Sequence, residues 1–140
     1  MTLVVDANAL VAQADRAARS HRPVVEVLRV EQGPLVVSAF VAQEADYLIQ
    51  RRIGIDAELL FLRDLAEGTF VVENLSLEDL GLARDLAERY RDLEIGLADA
   101  SIVILAARHG STRLLTLDER HFRAIEPLQG GHFTLLPADA

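Results

Sequence analysis

Short β-branched and apolar runs alternate with longer helical patterns along the whole chain, and that alternation restricts it to βαβ units wound around a parallel sheet. The runs that read as strands are Leu3–Asp6, Leu35–Val37, Phe70–Glu73, Arg113–Leu117 and His132–Leu136. Helical stretches fit between them. Pro23 suits the first turn of a helix running to about Glu31, Ser38 can cap a helix over Ala39–Arg52, and Gly54 can end it. Ser76 with Asp79 three residues on forms a capping-box pattern opening a helix to about Asp92, and a further helix covers Leu97–His109 and stops at Gly110. The expected fold is therefore α/β, a three-layer α/β/α sandwich with a central, mainly parallel sheet of about five strands. A chain of 140 residues suits one such domain, here residues 1–137, with 138–140 as a loose tail after Pro137.

A sheet of that kind needs a core, and 51% apolar against 26% charged residues supplies one. No cysteine is present, which excludes a disulfide framework and a thiolate metal site. The N-terminus, MTLVVDANALV, lacks a basic flank and meets an aspartate at position 6, so it reads as part of the domain and not as a signal peptide. No run is long enough to span a membrane, and the expected location is the cytoplasm. The formal charge of −8 argues, taken alone, against a polyanion as ligand. All 14 cations are arginines, however, each able to fork two hydrogen bonds onto a phosphate. Two bound divalent ions would bring the total to −8 + 4 = −4, so charge leaves nucleic acid open.

Four carboxylates stand where a solvated surface role is awkward. Asp6 ends the run Leu3-Val4-Val5 and Asp118 ends the run Leu114-Leu115-Thr116-Leu117, so both are expected in the crevice at the C-terminal ends of parallel strands. Glu44 shares a helix face with Phe40, Val41, Leu48 and Ile49, and Asp99 stands three and four residues before Ile102 and Val103. Both are thereby expected on stripes facing the core, where an ionised carboxylate costs several kcal/mol unless a cation meets it. Simpler roles exist for each. Asp6 and Asp118 could be N-caps, Asp99 a first-turn acid complementing the helix dipole, and Glu44 the partner of Arg51, Arg52 or Arg63. One explanation covers all four: a divalent cation such as Mg²⁺ or Mn²⁺ bound by carboxylate oxygens. Such a cluster suits hydrolysis of phosphodiesters by a metal-activated water and requires no protein nucleophile. That agrees with the lack of a Gly-x-Ser-x-Gly elbow and with histidines at 21, 109, 121 and 132 that show no zinc-site spacing, His121 being the one close to a carboxylate, Asp118.

These residues resemble the PIN-domain family, and within it the VapC-type toxin ribonucleases of toxin–antitoxin pairs. The resemblance runs from Val4-Val5-Asp6-Ala7-Asn8-Ala9-Leu10 through Ala42-Gln43-Glu44 and Gly96-Leu97-Ala98-Asp99-Ala100-Ser101-Ile102 to Leu115-Thr116-Leu117-Asp118-Glu119-Arg120-His121-Phe122. It implies a PIN fold, a Mg²⁺- or Mn²⁺-dependent endoribonuclease activity, and a site made by Asp6, Glu44, Asp99 and Asp118. It adds Asn8 and Ser101 as polar residues bonding the ligands or their water. It also implies a cognate antitoxin protein that blocks the site, and assembly as homodimers. Ala7 departs from the family, many members of which carry a hydroxyl residue directly after the first aspartate. Arg113, Arg120 and Arg123 are the arginines expected to lead an RNA substrate into the cleft.

Two other readings compete. Phosphotransfer and phosphatase domains also place a strand-end aspartate beside Mg²⁺, but the phosphatase pattern wants an aspartate where this chain has Asn8, and both families use a lysine, which this chain lacks. A non-catalytic module using the acidic cleft to hold a basic peptide would not need all four carboxylates.

Overall fold

The computed structural model describes residues 1–140. Five short strands form one sheet: β1 (Leu3–Val5), β2 (Leu35–Ser38), β3 (Val71–Glu73), β4 (Arg113–Leu115) and β5 (Thr134–Leu136). Their spatial order is β3-β2-β1-β4-β5 and every pairing is parallel. Seven helices make the crossovers: α1 (Ala7–Ala14), α2 (His21–Val30), α3 (Ala39–Arg52), α4 (Ile55–Ala66), α5 (Leu77–Arg89), α6 (Leu97–Arg108) and α7 (Glu119–Ala124).

The order follows from handedness. From β1 the chain steps outward to β2 and β3, then returns past β1 to β4 and β5, and right-handed crossovers moving in opposite directions put their helices on opposite faces. The reversal falls between β1 and β4, where adjacent crossovers diverge and open a crevice beyond the strand ends. β1 is buried throughout (Leu3, Val4 and Val5), as a strand covered on both faces must be.

β1 and β4 stop one and two residues short of the runs that mark them in the sequence, because pairing ends where the chain turns into the following element; β2 runs one residue further, to Ser38, and β3 and β5 begin one and two residues late. Asp6 is thus the N-cap of α1, and Asp118 follows β4 by three residues. Ser38 caps α3 through Val41 N at 3.0 Å, and Ser76 with Asp79 makes both bonds of a capping box on α5. α5 is shorter than expected: after Arg89 the chain tightens into a 3-10 turn, Arg91–Leu93, and Glu94 takes a left-handed conformation with φ 54°.

α6 is buried over seven consecutive residues, Ala100 to Ala106, so it is a central helix covered all round. Its polar residue Ser101 closes a chain of bonds, donating to Ala98 O at 2.6 Å and standing 2.7 Å from the Ser38 hydroxyl, which ties the start of α3 to α6. The C-terminal residues, read from sequence as a loose tail, are tethered. Asp139 accepts two bonds from Arg123, at 2.9 and 2.7 Å, and one from Leu135 N at 2.8 Å. That clasp holds α7 at one end, while Phe122, 1% exposed, packs edge-on against Phe133 with ring centroids 6.0 Å apart.

Phe122 is therefore the side chain that seats α7. Phe122→Ala should cost about 3–5 kcal/mol, as for a buried aromatic truncated to leave a cavity, and urea unfolding monitored by circular dichroism will show it as a lowered midpoint with an unchanged slope.

Candidate active site

Asp6 leaves β1 pointing into the crevice and is 6% exposed. Its Oδ1 accepts from Ala7 N at 2.7 Å, and its Oδ2 accepts from the Thr116 hydroxyl at 2.7 Å and from Asn8 Nδ2 at 3.2 Å. All three donors are neutral. Burial raises the Asp6 carboxyl to about 7, opposed by the Thr116 bond and reinforced by the negative charge of Asp99 and, less, of Glu44. The capping and site roles expected as alternatives for Asp6 coexist, because one oxygen caps α1 and the other lies in the cluster.

Thr116 escaped the sequence reading. Its hydroxyl donates to Asp6 and accepts from Asp118 N at 3.0 Å, so one buried group fixes carboxylates 112 positions apart in the chain. It brings a hydroxyl to the first aspartate from across the sheet, in a chain where Ala7 follows that aspartate. The available signal was a hydroxyl interrupting an apolar run two residues before Asp118. Asn8 works beside it, donating to Asp6 and accepting from Leu117 N at 3.0 Å, which pins the segment after β4.

Asp99 lies in the first turn of α6, half-buried, and Glu44 on α3 is exposed at the mouth of the crevice. Asp99 shares the buried face of Ile102, Val103 and Ala106, as expected, whereas the expectation that Glu44 sits on a core-facing stripe is corrected. The buried stripe of α3 is Val41, Ala42, Ala45 and Ile49, and Glu44, one residue from Ala45, is turned about 100° away from it. Partial burial nevertheless raises Glu44, helped by Asp99; burial also raises Asp99, opposed by His121 and reinforced by Asp118. These mutual repulsions link all four carboxylates into one cluster.

His121 completes it. Its Nδ1 is 3.0 Å from Asp99 Oδ2 and 3.0 Å from Asp118 Oδ2, while Asp118 Oδ1 accepts from His121 N at 2.9 Å and caps α7. One donor atom from each of Asp99, Asp118 and His121 lies within 4.8 Å of the others. No arginine forms an ion pair with Asp6, Glu44, Asp99 or Asp118; His121 is the one basic group that touches the cluster. Carboxylate oxygens that repel one another, and one imidazole, are a donor set that fits a divalent cation.

The remaining expected residues fall elsewhere. Ser101 is fully buried and bonds Ala98 and Ser38, so it positions α3 and α6 and touches no carboxylate. Arg113 opens β4 at the opposite end of the sheet from the crevice and is held by Glu31 through bonds of 3.1 and 2.6 Å. Arg123 is held by Glu119 and Asp139, and Arg120 is exposed without an ion-pair partner. The guanidiniums beside the cluster are instead Arg19 and Arg52, which line a groove of about 340 Å³ together with Asn8, Glu44, Leu48 and Leu117.

Residues 3–126 match the PIN domain family, and the chain belongs to it. Over 135 residues, 96% of this chain and 100% of the relative, it is 42% identical to Ribonuclease VapC26 of Mycobacterium tuberculosis. The crystal structure of M. tuberculosis VapC20, described as a Sarcin-Ricin loop cleaving toxin, superposes with a TM-score of 0.79 at 18% identity, covering 84% of this chain and 91% of that one. VapBC2 from Rickettsia felis, solved bound to a DNA fragment from its promoter, gives 0.65 at 17% identity, covering 96% and 97%. These two likenesses establish the shared fold, including the five-stranded parallel sheet.

The raised carboxyl of Asp6 sets a pH dependence. Folded Asp6 holds its proton to about pH 7, against 3.8 for an ordinary aspartate, so its contribution to stability is full below about pH 4 and is lost as pH rises through 7. The loss amounts to at most about 4 kcal/mol, at about 1.4 kcal/mol per pH unit, and Glu44 and Asp99 act in the same direction. Urea unfolding in chelator should show lower stability at pH 8 than at pH 5, and Asp6→Asn should shrink that difference.

Proposed function

We propose that this chain is a VapC-type endoribonuclease that hydrolyses RNA phosphodiester bonds with Mg²⁺ or Mn²⁺ held by Asp6, Glu44, Asp99 and Asp118. The observation that carries the reading is the mutual repulsion of four carboxylates lacking any guanidinium partner, an arrangement stable at neutral pH when a cation relieves it. The 42% identical relative, named a ribonuclease, supports the choice of reaction and substrate. A bound divalent ion supplies a water of lowered pKa and offsets charge on the leaving oxygen. The chain's own residues do the rest. Thr116 and Asn8 hold the Asp6 oxygens in one orientation, so little reorganisation is needed at the moment of reaction. Glu44, exposed at the mouth, is the carboxylate that incoming substrate meets first. Arg19 and Arg52, beside it, carry no carboxylate partner and are free to take RNA phosphates.

The same reading carries two partners, a cognate antitoxin and a second copy of the chain. A surplus of carboxylates suits an inhibitory guanidinium from an antitoxin, which could pair bidentately where the metal binds. Four large apolar side chains on α4, Ile55, Leu59, Leu60 and Leu62, are exposed, an area that association would remove from water. No helix is long and apolar enough to cross a membrane.

Purified protein incubated with RNA should cut it only in the presence of Mg²⁺ or Mn²⁺, and Asp6→Asn or Asp99→Asn should lower the rate by roughly 10²–10³-fold or more. Cleavage that survives both substitutions, or proceeds in chelator, would overturn the four-carboxylate metal site as its source, and a wild type that cuts no RNA with either metal would leave the non-catalytic binding module. Metal at about 100 times its Kd should stabilise the fold by about 2.7 kcal/mol, a shift of several degrees in melting temperature; an unmoved melting curve counts against the site. In the uncleaving Asp99→Asn background, Arg19→Ala and Arg52→Ala should each flatten the salt dependence of RNA affinity by about one ion released. The slope should not respond to Arg113→Ala.

A further inference from the structure

The four acids account for metal binding by oxygen alone, yet the tightest cluster in the crevice contains a nitrogen. His121 Nδ1 lies 3.0 Å from Asp99 Oδ2 and 3.0 Å from Asp118 Oδ2. The arrangement makes one ordinary hydrogen bond, between Nδ1 and Asp99, and leaves the equally short line to Asp118 without an aligned proton. It is good as the rim of a coordination sphere. Donor atoms about 2.1 Å from an ion at right angles lie about 3.0 Å from each other, the separation seen on both edges. The third edge, within 4.8 Å, allows the two carboxylate oxygens to be neighbours or opposites.

The imidazole is held there by structure that metal binding alone would not need. Asp118 Oδ1 caps α7 through His121 N, which leaves Oδ2 facing the ring one helical turn away. Phe122 seats the helix in the core, and Arg123 is clasped by Glu119 and Asp139. Little ordering therefore remains to be done when an ion arrives.

We propose that His121 Nδ1 is a metal ligand, completing with Asp99 and Asp118 a nitrogen–oxygen–oxygen set that favours Mn²⁺, or another first-row transition ion, over Mg²⁺. Imidazole suits transition ions, whereas Mg²⁺ prefers oxygen and gives up its waters reluctantly. The inference rests on the metal site proposed above and adds to it both a ligand and a preference.

Mn²⁺ added to the purified protein provides the test, read by pulsed electron paramagnetic resonance, in which a directly bound ¹⁴N modulates the echo. Wild type should show ¹⁴N modulation, and His121→Ala should lose it while still binding Mn²⁺ through the carboxylates. The ratio of Mn²⁺ to Mg²⁺ affinity, from competition titration, should fall by roughly tenfold in that variant. His121→Gln, which keeps a polar side chain of similar reach, guards against a folding defect and should behave like His121→Ala. Protein-bound Mn²⁺ without ¹⁴N modulation in the wild type overturns the ligand assignment and leaves the carboxylate site standing. Failure of Mn²⁺ to bind at all overturns both.

Discussion

The architecture of the crevice depends on one aspartate buried without a countercharge. Asp6 sits at the end of the most enclosed strand and is satisfied by three neutral donors, Ala7 N, the Thr116 hydroxyl and Asn8 Nδ2. Hydrogen bonds of this kind satisfy lone pairs but do not cancel charge, so the carboxyl is pushed up to about 7. Guanidiniums are plentiful elsewhere. Arg108, Arg113 and Arg123 each clasp acids at other places on the surface, and their absence from the crevice is what keeps it receptive to a cation.

Topology makes that concentration of charge possible. The winding reverses between β1 and β4, so the strand ends that carry Asp6 and Asp118 lie side by side with no crossover covering them. α6 arrives from β3 with Asp99 in its first turn, and α3 brings Glu44 from the other side. The Ser38–Ser101 pair locks those two helices together, which makes Ser101 a structural bolt behind the site. Stability and function therefore oppose each other locally: the residues that gather the acids are neutral and buried, and the acids they gather repel.

Much of this was legible in the chain. Ser38 and the Ser76–Asp79 box mark helix starts because a short side chain reaches the backbone N–H three residues on whatever else it meets. Strand-end aspartates were equally readable, since the end of an apolar run and the end of a parallel strand coincide to within two residues. Glu44 misled because its helical phase lay on the flank of the apolar stripe. Helical periodicity fixes an angle, not which neighbours stand at that angle, and there the neighbour is the open crevice.

What the sequence determined by itself was the fold class, the helix starts and the four acidic positions, all of them properties of residues close together along the chain. Tertiary structure alone decided that Thr116 would bridge Asp6 and Asp118, that His121 would face Asp99, and that Asp139 would hold the C-terminal residues down. It also decided which arginines would be free. An arginine side chain can reach many partners, and its choice depends on which acids folding brings near, so Arg113 found Glu31 across 82 residues while Arg19 and Arg52 were left beside the groove. Local spacing encodes the elements; the pairing of distant side chains is settled only when those elements pack.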